Sequence, residues 1–308
     1  MADVMNEPLV TVILPVYNGE RYVRLAVDSV LSQSFKDFEL IVIDDGSTDA
    51  TAARVKVDDP RVQYVYQENT GVAGAFNHGL RIARGRFISW LSHDDRFYPA
   101  KLERQVAALA RLGQAGVCYT DVDIIDDEGT VLASHALPDY GRTELLRQVL
   151  TASPILGASY SICYHRECLD LVGFYSESWR YTQDAEMLVR LARRFPFTHV
   201  PERLVQVREH AERGIKSAAW EKEVVRFFSE SLDAIPFAEL FPGEDASRRE
   251  RAQAYTEIGD TFAARADVLY KIAYSQYRHA VRANPTPNQI LRSARRMLGL
   301  YRYRRAVQ

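Results

Sequence analysis

No run of eighteen apolar residues occurs anywhere in the 308-residue sequence, so no membrane-spanning helix is expected. Cysteine is scarce. Cys118, Cys163 and Cys168 are odd in number, with no Cys-x-x-Cys spacing and no accompanying histidine pair. That argues against a disulfide framework and a structural zinc site, and suits a reducing compartment. An excess of one charge is also missing: 39 basic residues face 41 acidic ones, for a net charge of −2. No overall field draws nucleic acid or an anionic surface, and nucleic acid is not an expected partner. The first residues carry no basic stretch ahead of an apolar run, so no secretory signal is read and a cytoplasmic location is expected. What is present is globular: 47% hydrophobic and 26% charged residues exclude wholesale disorder. The length suits one large or two ordinary domains with a sizeable core.

The first hundred residues alternate strand and helix patterns. Residues 9–15 (LVTVILP) and 38–43 (FELIVI) are continuous apolar runs, as strands buried on both faces are. Residues 62–66 and 87–91 predict two further strands. Helices are predicted between them: from Tyr22 at helical spacing, after a cap at Ser47 with Asp49 in the first turn, and over 74–83. Another helix follows Pro99. Strands separated by helices imply a parallel sheet with right-handed crossovers. Beyond residue 115, short strands are expected at 117–120, 122–125 and 161–164, a hairpin around 126–134, helices over 145–150 and 184–194, and extended chain over 200–207.

From about residue 216 the pattern is helical. Residues 255–285 have a tetratricopeptide-like spacing (Tyr255, Ile258, Gly259, Phe262, Ala273, Tyr277, Pro285), spoiled by a two-residue insertion. The last twenty residues carry Arg292, Arg295, Arg296, Arg302, Arg304 and Arg305 and no acid. A basic, apolar-interleaved segment suits peripheral contact with an anionic membrane; the alternative is a solvated chain end.

In open parallel sheets, ligands bind beyond the carboxyl ends of the strands. The predicted strands end in Tyr17-Asn18, in Asp44-Asp45-Gly46-Ser47 and in Ser92-His93-Asp94-Asp95. Several carboxylates around one crevice repel one another unless a cation or donors sit among them. A divalent cation, Mn2+ or Mg2+, answers that, because hard cations prefer oxygen ligands and complete their shells with water and substrate phosphates. That points to a diphosphate-containing substrate. The residues also have plainer readings. Asp-Gly-Ser is good turn sequence, Asp184 suits any helix start, and His210 reads equally as a loop histidine.

These stretches carry a resemblance. Residues 15–19 (PVYNG), 28–35 (DSVLSQSF), 38–49 (FELIVIDDGSTD), 69–79, 85–87 and 92–103 resemble, in order, the amino-terminal half of family 2 glycosyltransferases. The match covers roughly residues 8–210. The resemblance implies an α/β fold of GT-A type: a nucleotide-binding, mostly parallel sheet flanked by helices, here with a C-terminal all-helical extension. It implies a catalytic domain over 1–215, divided into a nucleotide-sugar-binding half (1–115) and an acceptor-side half (116–215), followed by the helical extension over 216–308. It further implies that Pro15, Tyr17, Asn18, Asp44, Asp45, Asn77 and Asp94 bind the nucleotide sugar, Tyr17 by stacking on the base. Asp95 and His210 are the implied metal contacts, Asp184 the implied base, and Gly157 and Gln183 the implied acceptor side. An acid is more usual in the family at Ser92, and a Glu at Gln183.

The implied reaction moves one sugar from a nucleoside-diphosphate sugar to a hydroxyl of a glycan or lipid-linked saccharide. A hexosyl- or deoxyhexosyltransferase of this kind inverts by direct displacement. The spans and the Gln-x-x-Arg-Trp motif of processive synthases are not in the sequence, so single-sugar addition is preferred. A catalytically impaired scaffold, a sugar nucleotidyltransferase and a phosphoacceptor module are the alternatives. The second lacks its Gly-rich, Arg-containing first loop, and the third leaves Asp184 unexplained. A homodimer is compatible with the helical extension.

Overall fold

Strands β1 (Val10–Val16) and β2 (Phe38–Asp44) are buried at every residue, which is why their sequences are mainly apolar rather than alternating, the buried Thr11 donating to Glu39 at 2.7 Å. They pair in parallel from Val10↔Phe38 to Val16↔Asp44. The computed structural model describes residues 7–140, 142–150, 161–210, 217–240, 255–256, 259–260, 266–283, 293–294 and 296–297. The chain divides into two compact units. One comprises residues 1–142 with 154–213, and the other residues 143–153 with 214–308.

The first unit is built on one sheet. Its other strands are β3 (Val62–Tyr66), β4 (Phe87–Trp90), β5 (Arg96–Phe97), β6 (Val117–Ile125), β7 (Val131–His135), β8 (Cys163–His165) and β9 (Phe197–Arg208). The order is β3-β2-β1-β4-β8-β6-β9-β5, with β7 on β6. β3, β2, β1 and β4 are parallel neighbours. The sheet is mixed beyond them: β8 runs antiparallel between β4 and β6, while β6 and β9 are parallel. The two strands expected at 117–120 and 122–125 are one strand, β6, whose register against β9 shifts on both sides of Asp121. The shift is a bulge that keeps the strand continuous while re-aiming its side chains.

Helices α1 (Val23–Leu31), α2 (Thr51–Val55), α3 (Gly71–Ile82), α4 (Lys101–Leu112), α6 (Cys168–Val172) and α7 (Gln183–Arg194) belong to this unit. Packing of α3 on β1 needs Gly79, where a Cβ would lie 2.6 Å from Ile13 Cγ2. One expectation is corrected. Ser47 does not cap α2, whose N-cap is Ala50 with no side-chain bond. Ser47 Oγ instead accepts from the Asn18 N–H at 2.9 Å. Asp49 stands just ahead of the helix and accepts from Thr51 N at 3.0 Å.

Lys101 is entirely buried, its ammonium donating to Ser89 Oγ at 2.9 Å and Gln105 Oε1 at 2.7 Å, 4.0 Å over the Phe97 ring. Burial pushes its pKa down from 10.5 to about 8. Below pH 8 both folded and unfolded chains hold the proton, and the fold bears the full cost of a buried charge. Between the two values only the unfolded chain keeps it, so this group's contribution to stability rises with pH. Lys101→Met removes this titration, so the wild type should gain about 3 kcal/mol of stability relative to the variant as pH goes from about 8 to 10.5. Urea denaturation of both proteins at the two pH values checks this; a gap independent of pH refutes it.

The second unit contains α5 (Arg142–Leu150, from Thr143), α8 (Ala218–Ala234), α9 (Phe237–Leu240) and α10 (Ala266–Ala283). Ser217 caps α8 by accepting from Trp220 N at 3.1 Å, and α8 packs on α10. The tetratricopeptide-like positions meet here: a Cβ at Gly259 would lie 2.6 Å from the Tyr277 ring, and the Tyr277 hydroxyl donates to Asp260 at 2.7 Å. Of the basic tail, only residues 293–294 and 296–297 are described. No helix among the described residues is long and apolar enough to cross a membrane.

Candidate functional site

The carboxyl ends of β1 and β2 are laced together. Pro15 is buried in β1, just past Ile13↔Trp90, where pairing with β4 stops. A residue without an N–H is tolerated in a central strand only where a ladder has ended. Asn18, at φ 50°, accepts from Thr48 N through its Oδ1 at 2.9 Å. Gly19 N donates to Thr51 Oγ1 at 2.8 Å, Glu20 N to Asp49 at 3.0 Å, and Ala50 N back to Glu20 at 3.0 Å. This lattice holds Tyr17 at the mouth of the sheet with half its surface exposed (50%). An exposed aromatic face on a rigid loop is what a flat heterocycle stacks on.

Asp44 and Asp45 divide their work. Asp44 accepts from Ser47 N at 2.8 Å through one oxygen and from the Tyr64 hydroxyl at 2.6 Å through the other. Burial first, and then that bond, raises the Tyr64 pKa, so the phenol stays a donor. Asp45 is buried against the amino end of α3. It accepts from Thr70 N and Gly71 N at 2.8 Å each, and from Gln67 Nε2 at 2.7 Å. Its carboxylate therefore satisfies helix-start donors across a sequence gap of some twenty-five residues. Asp45→Ala is expected to cost about 2 kcal/mol of stability, because buried donors lose their acceptor. Chemical denaturation checks this, and an unchanged midpoint would leave Asp45 no structural role. Asn77 is likewise buried. Its Oδ1 accepts from Tyr175 N and its Nδ2 donates to Tyr175 O, both at 2.9 Å, pinning the chain at Tyr175 to α3.

Beyond β4, Asp94 and Asp95 are buried. His210 Nε2, two residues past β9, meets Asp94 Oδ2 at 2.9 Å. The two side chains are 116 residues apart in sequence and both about 9% exposed. Asp95 Oδ1 accepts from Arg208 N at 2.8 Å. Arg208 is wholly buried, and its guanidinium lies 4.5 Å over the Tyr22 ring. Tyr22 donates to Asp127 at 2.8 Å; burial, then that bond, pushes its pKa up to about 12. Arg208 and Tyr22 were not singled out by the sequence. Arg208 stands at the end of an extended run that also holds Glu202, Arg203 and Gln206, so no local pattern marks it.

Asp184 is the second residue of α7 and partly buried, its Oδ1 accepting from Ala185 N at 2.8 Å. Gln183 is buried at the first position of the helix. Tyr175 links this helix to the strand end: its ring packs edge-on against Trp90 of β4 at 5.8 Å. Burial, and more weakly the nearby Asp184 charge, raise its pKa. Gly157 lies outside the described residues. Among the described residues, no three His, Cys, Asp or Glu side chains form a group arranged to hold a metal. Asp94 Oδ2 and His210 Nε2 hydrogen-bond to each other, and the proton between them would have to leave for both to serve as ligands to a cation. Their 2.9 Å separation is close to the about 3 Å between neighbouring ligands on an octahedral cation with bonds of roughly 2.0–2.1 Å. A nitrogen beside an oxygen moves the fit from magnesium toward manganese.

Comparisons with known proteins bear on this arrangement. The model of the family described as Glycosyl transferase family 2 matches residues 11–166. An uncharacterized glycosyltransferase of Rickettsia prowazekii is 34% identical over 225 residues, covering 71% of this chain and 69% of that protein. Chondroitin synthase of Escherichia coli is 29% identical over 208 residues, covering 65% of this chain and 29% of the synthase. Three rickettsial relatives are spanned by this chain to 69%, 41% and 64% of their length. The crystal structure of S. aureus TarS 1-349 in complex with UDP-GlcNAc superposes with a TM-score of 0.63 at 16% identity, covering 96% of this chain and 92% of that one. At that identity the likeness is one of fold, and the fold is of GT-A type.

Proposed function

The chain belongs to glycosyl transferase family 2, and from that premise we propose that it transfers a single sugar from a uridine-diphosphate sugar to a saccharide or lipid-linked saccharide hydroxyl, with inversion. The observation that carries this reading is the Asp94–His210 contact at 2.9 Å beside the end of β4. It joins a carboxylate and an imidazole where an open sheet binds phosphates. A uridine nucleotide is favoured by the UDP-GlcNAc bound to TarS.

Asp94 and His210 hold a divalent cation, preferably manganese, with Asp95 adjoining them. When bound, that cation neutralises charge on the departing diphosphate. Tyr17 offers its exposed face to the base, and Asp44 would accept from the base edge in exchange for one of its present bonds to Ser47 N and the Tyr64 hydroxyl. Asp45 and Asn77 act at one remove: the first fixes the start of α3, and the second fixes the chain at Tyr175 that leads to α7. Asp184 accepts the proton of the acceptor hydroxyl as its oxygen attacks the anomeric carbon. Attack from the face opposite the leaving diphosphate inverts the centre with no covalent sugar–enzyme intermediate.

A thermal-shift series with nucleoside diphosphates, with and without manganese, tests donor class, because a ligand binding only the folded state raises its stability. Uridine diphosphate with manganese is expected to give the largest shift. Equal, negligible shifts for all nucleotides would sink the reading.

A further inference from the structure

The inference concerns Arg208 and rests on the reading that Asp94 and His210 hold a cation against a diphosphate. We propose that Arg208 is a positioning residue. It does not touch the donor, but locks the loop bearing Asp94 and Asp95, the turn after β6 and the chain bearing His210 into one register, so that the cation finds its two ligands already in place.

Arg208 closes β9 and is fully buried. Its backbone N–H donates to Asp95 Oδ1 at 2.8 Å, and its Nε to the Asp94 carbonyl at 3.0 Å. Nη1 donates to the carbonyls of Asp126 and Asp127, the latter at 2.8 Å. Two stretches far apart in sequence, the loop after β4 and the turn after β6, thus meet on the side chain of Arg208, whose own chain leads on to His210. No ion pair joins it to an acidic side chain among the described residues. Its charge is met by carbonyl dipoles and by the face of Tyr22, 4.5 Å away. A guanidinium whose Nε and Nη1 are spent on backbone carbonyls is a clamp, and its buried Nη2 has no hydrogen-bond partner among the described residues. It also leaves the Asp94 carboxylate to His210 instead of capturing it in a bidentate pair.

Tyr22 extends the clamp. Its hydroxyl donates to Asp127 at 2.8 Å, and its ring centroid is 5.6 Å from that of His210. The planar fork of arginine serves carbonyls on two separate turns at once, whereas a lysine ammonium on a single stem cannot reproduce that geometry. Changing side chains that orient metal ligands without binding the metal typically costs roughly 10- to 100-fold in metal affinity.

The test uses the full chain as wild type, Arg208→Lys and Tyr22→Phe. Free Mn2+ is followed by electron paramagnetic resonance in the presence of UDP, UDP affinity is measured again in excess chelator, and the melting temperature is recorded without ligand. Arg208→Lys is expected to weaken Mn2+ binding roughly 10- to 100-fold, and Tyr22→Phe by less. Both should keep wild-type UDP affinity in chelator. Wild-type Mn2+ affinity in Arg208→Lys overturns the inference. So does an equal loss of metal-free UDP affinity, which would make Arg208 a donor contact. Should Arg208→Lys fail to fold, unchanged Mn2+ affinity in Tyr22→Phe overturns it. A wild type that binds UDP but shows no Mn2+ dependence removes the cation from the functional reading itself, and this inference with it.

Discussion

Asp184→Asn is expected to lower sugar transfer by about 10²–10⁴-fold, the usual worth of a positioned general base, while leaving donor affinity nearly unchanged. The substitution keeps the shape of the side chain and an oxygen able to accept from Ala185 N, as Asp184 does now at 2.8 Å. The start of α7 and the packing of buried Gln183 should therefore persist. What is lost is basicity, which matters only once the acceptor hydroxyl begins to give up its proton. The loss should appear in turnover and not in nucleotide binding, as expected for an interaction made only in the transition state. Initial rates with saturating donor, set beside UDP titrations of both proteins, check this. Wild-type turnover in the variant would mean that Asp184 is not the base.

Removing divalent metal is expected to stop turnover, and manganese should restore it more fully than magnesium. A cation at the leaving diphosphate contributes several kcal/mol of charge stabilisation, or roughly 10²–10³-fold or more in rate. Asp94 and His210 are two protein ligands, so the diphosphate and water complete the shell, and metal and nucleotide should strengthen each other's binding. His210→Ala should reproduce the chelated state at ordinary metal concentrations and recover partly when manganese is raised. Its measure is rate against free Mn2+ concentration for both proteins. Undiminished turnover in excess chelator would take the metal out of the mechanism.

Other functional classes fare worse on particular residues. A strand-end carboxylate that receives a phosphoryl group must be open to the donor. Here Asp45 is buried and committed to the start of α3. The departures at Ser92 and Gln183 bear on a non-catalytic scaffold. Gln183 is buried at the head of α7 beside Asp184. The scaffold reading therefore stands or falls with the Asp184→Asn comparison, since a scaffold binds donor with or without the base.

Much of this was legible from residue order alone. The mainly apolar runs at 9–15 and 38–43 predict strands buried on both faces, and the polar pairs that follow them then lie along one edge of the sheet. Periodicity placed α7 and put Asp184 at its head. These are local properties: a side chain's neighbours along its own strand or helix are set by the repeat of the backbone. The tertiary structure decided the rest. It inserted β8 antiparallel between β4 and β6, committed Asp45 to a helix rather than to solvent, and buried Lys101 without an acid. It also brought His210 to Asp94, and Arg208 to the loop after β4 and the turn after β6 at once. Each of these depends on which distant groups share a buried volume. A buried polar atom takes whichever partner the packing offers, and no local pattern along the chain encodes that choice.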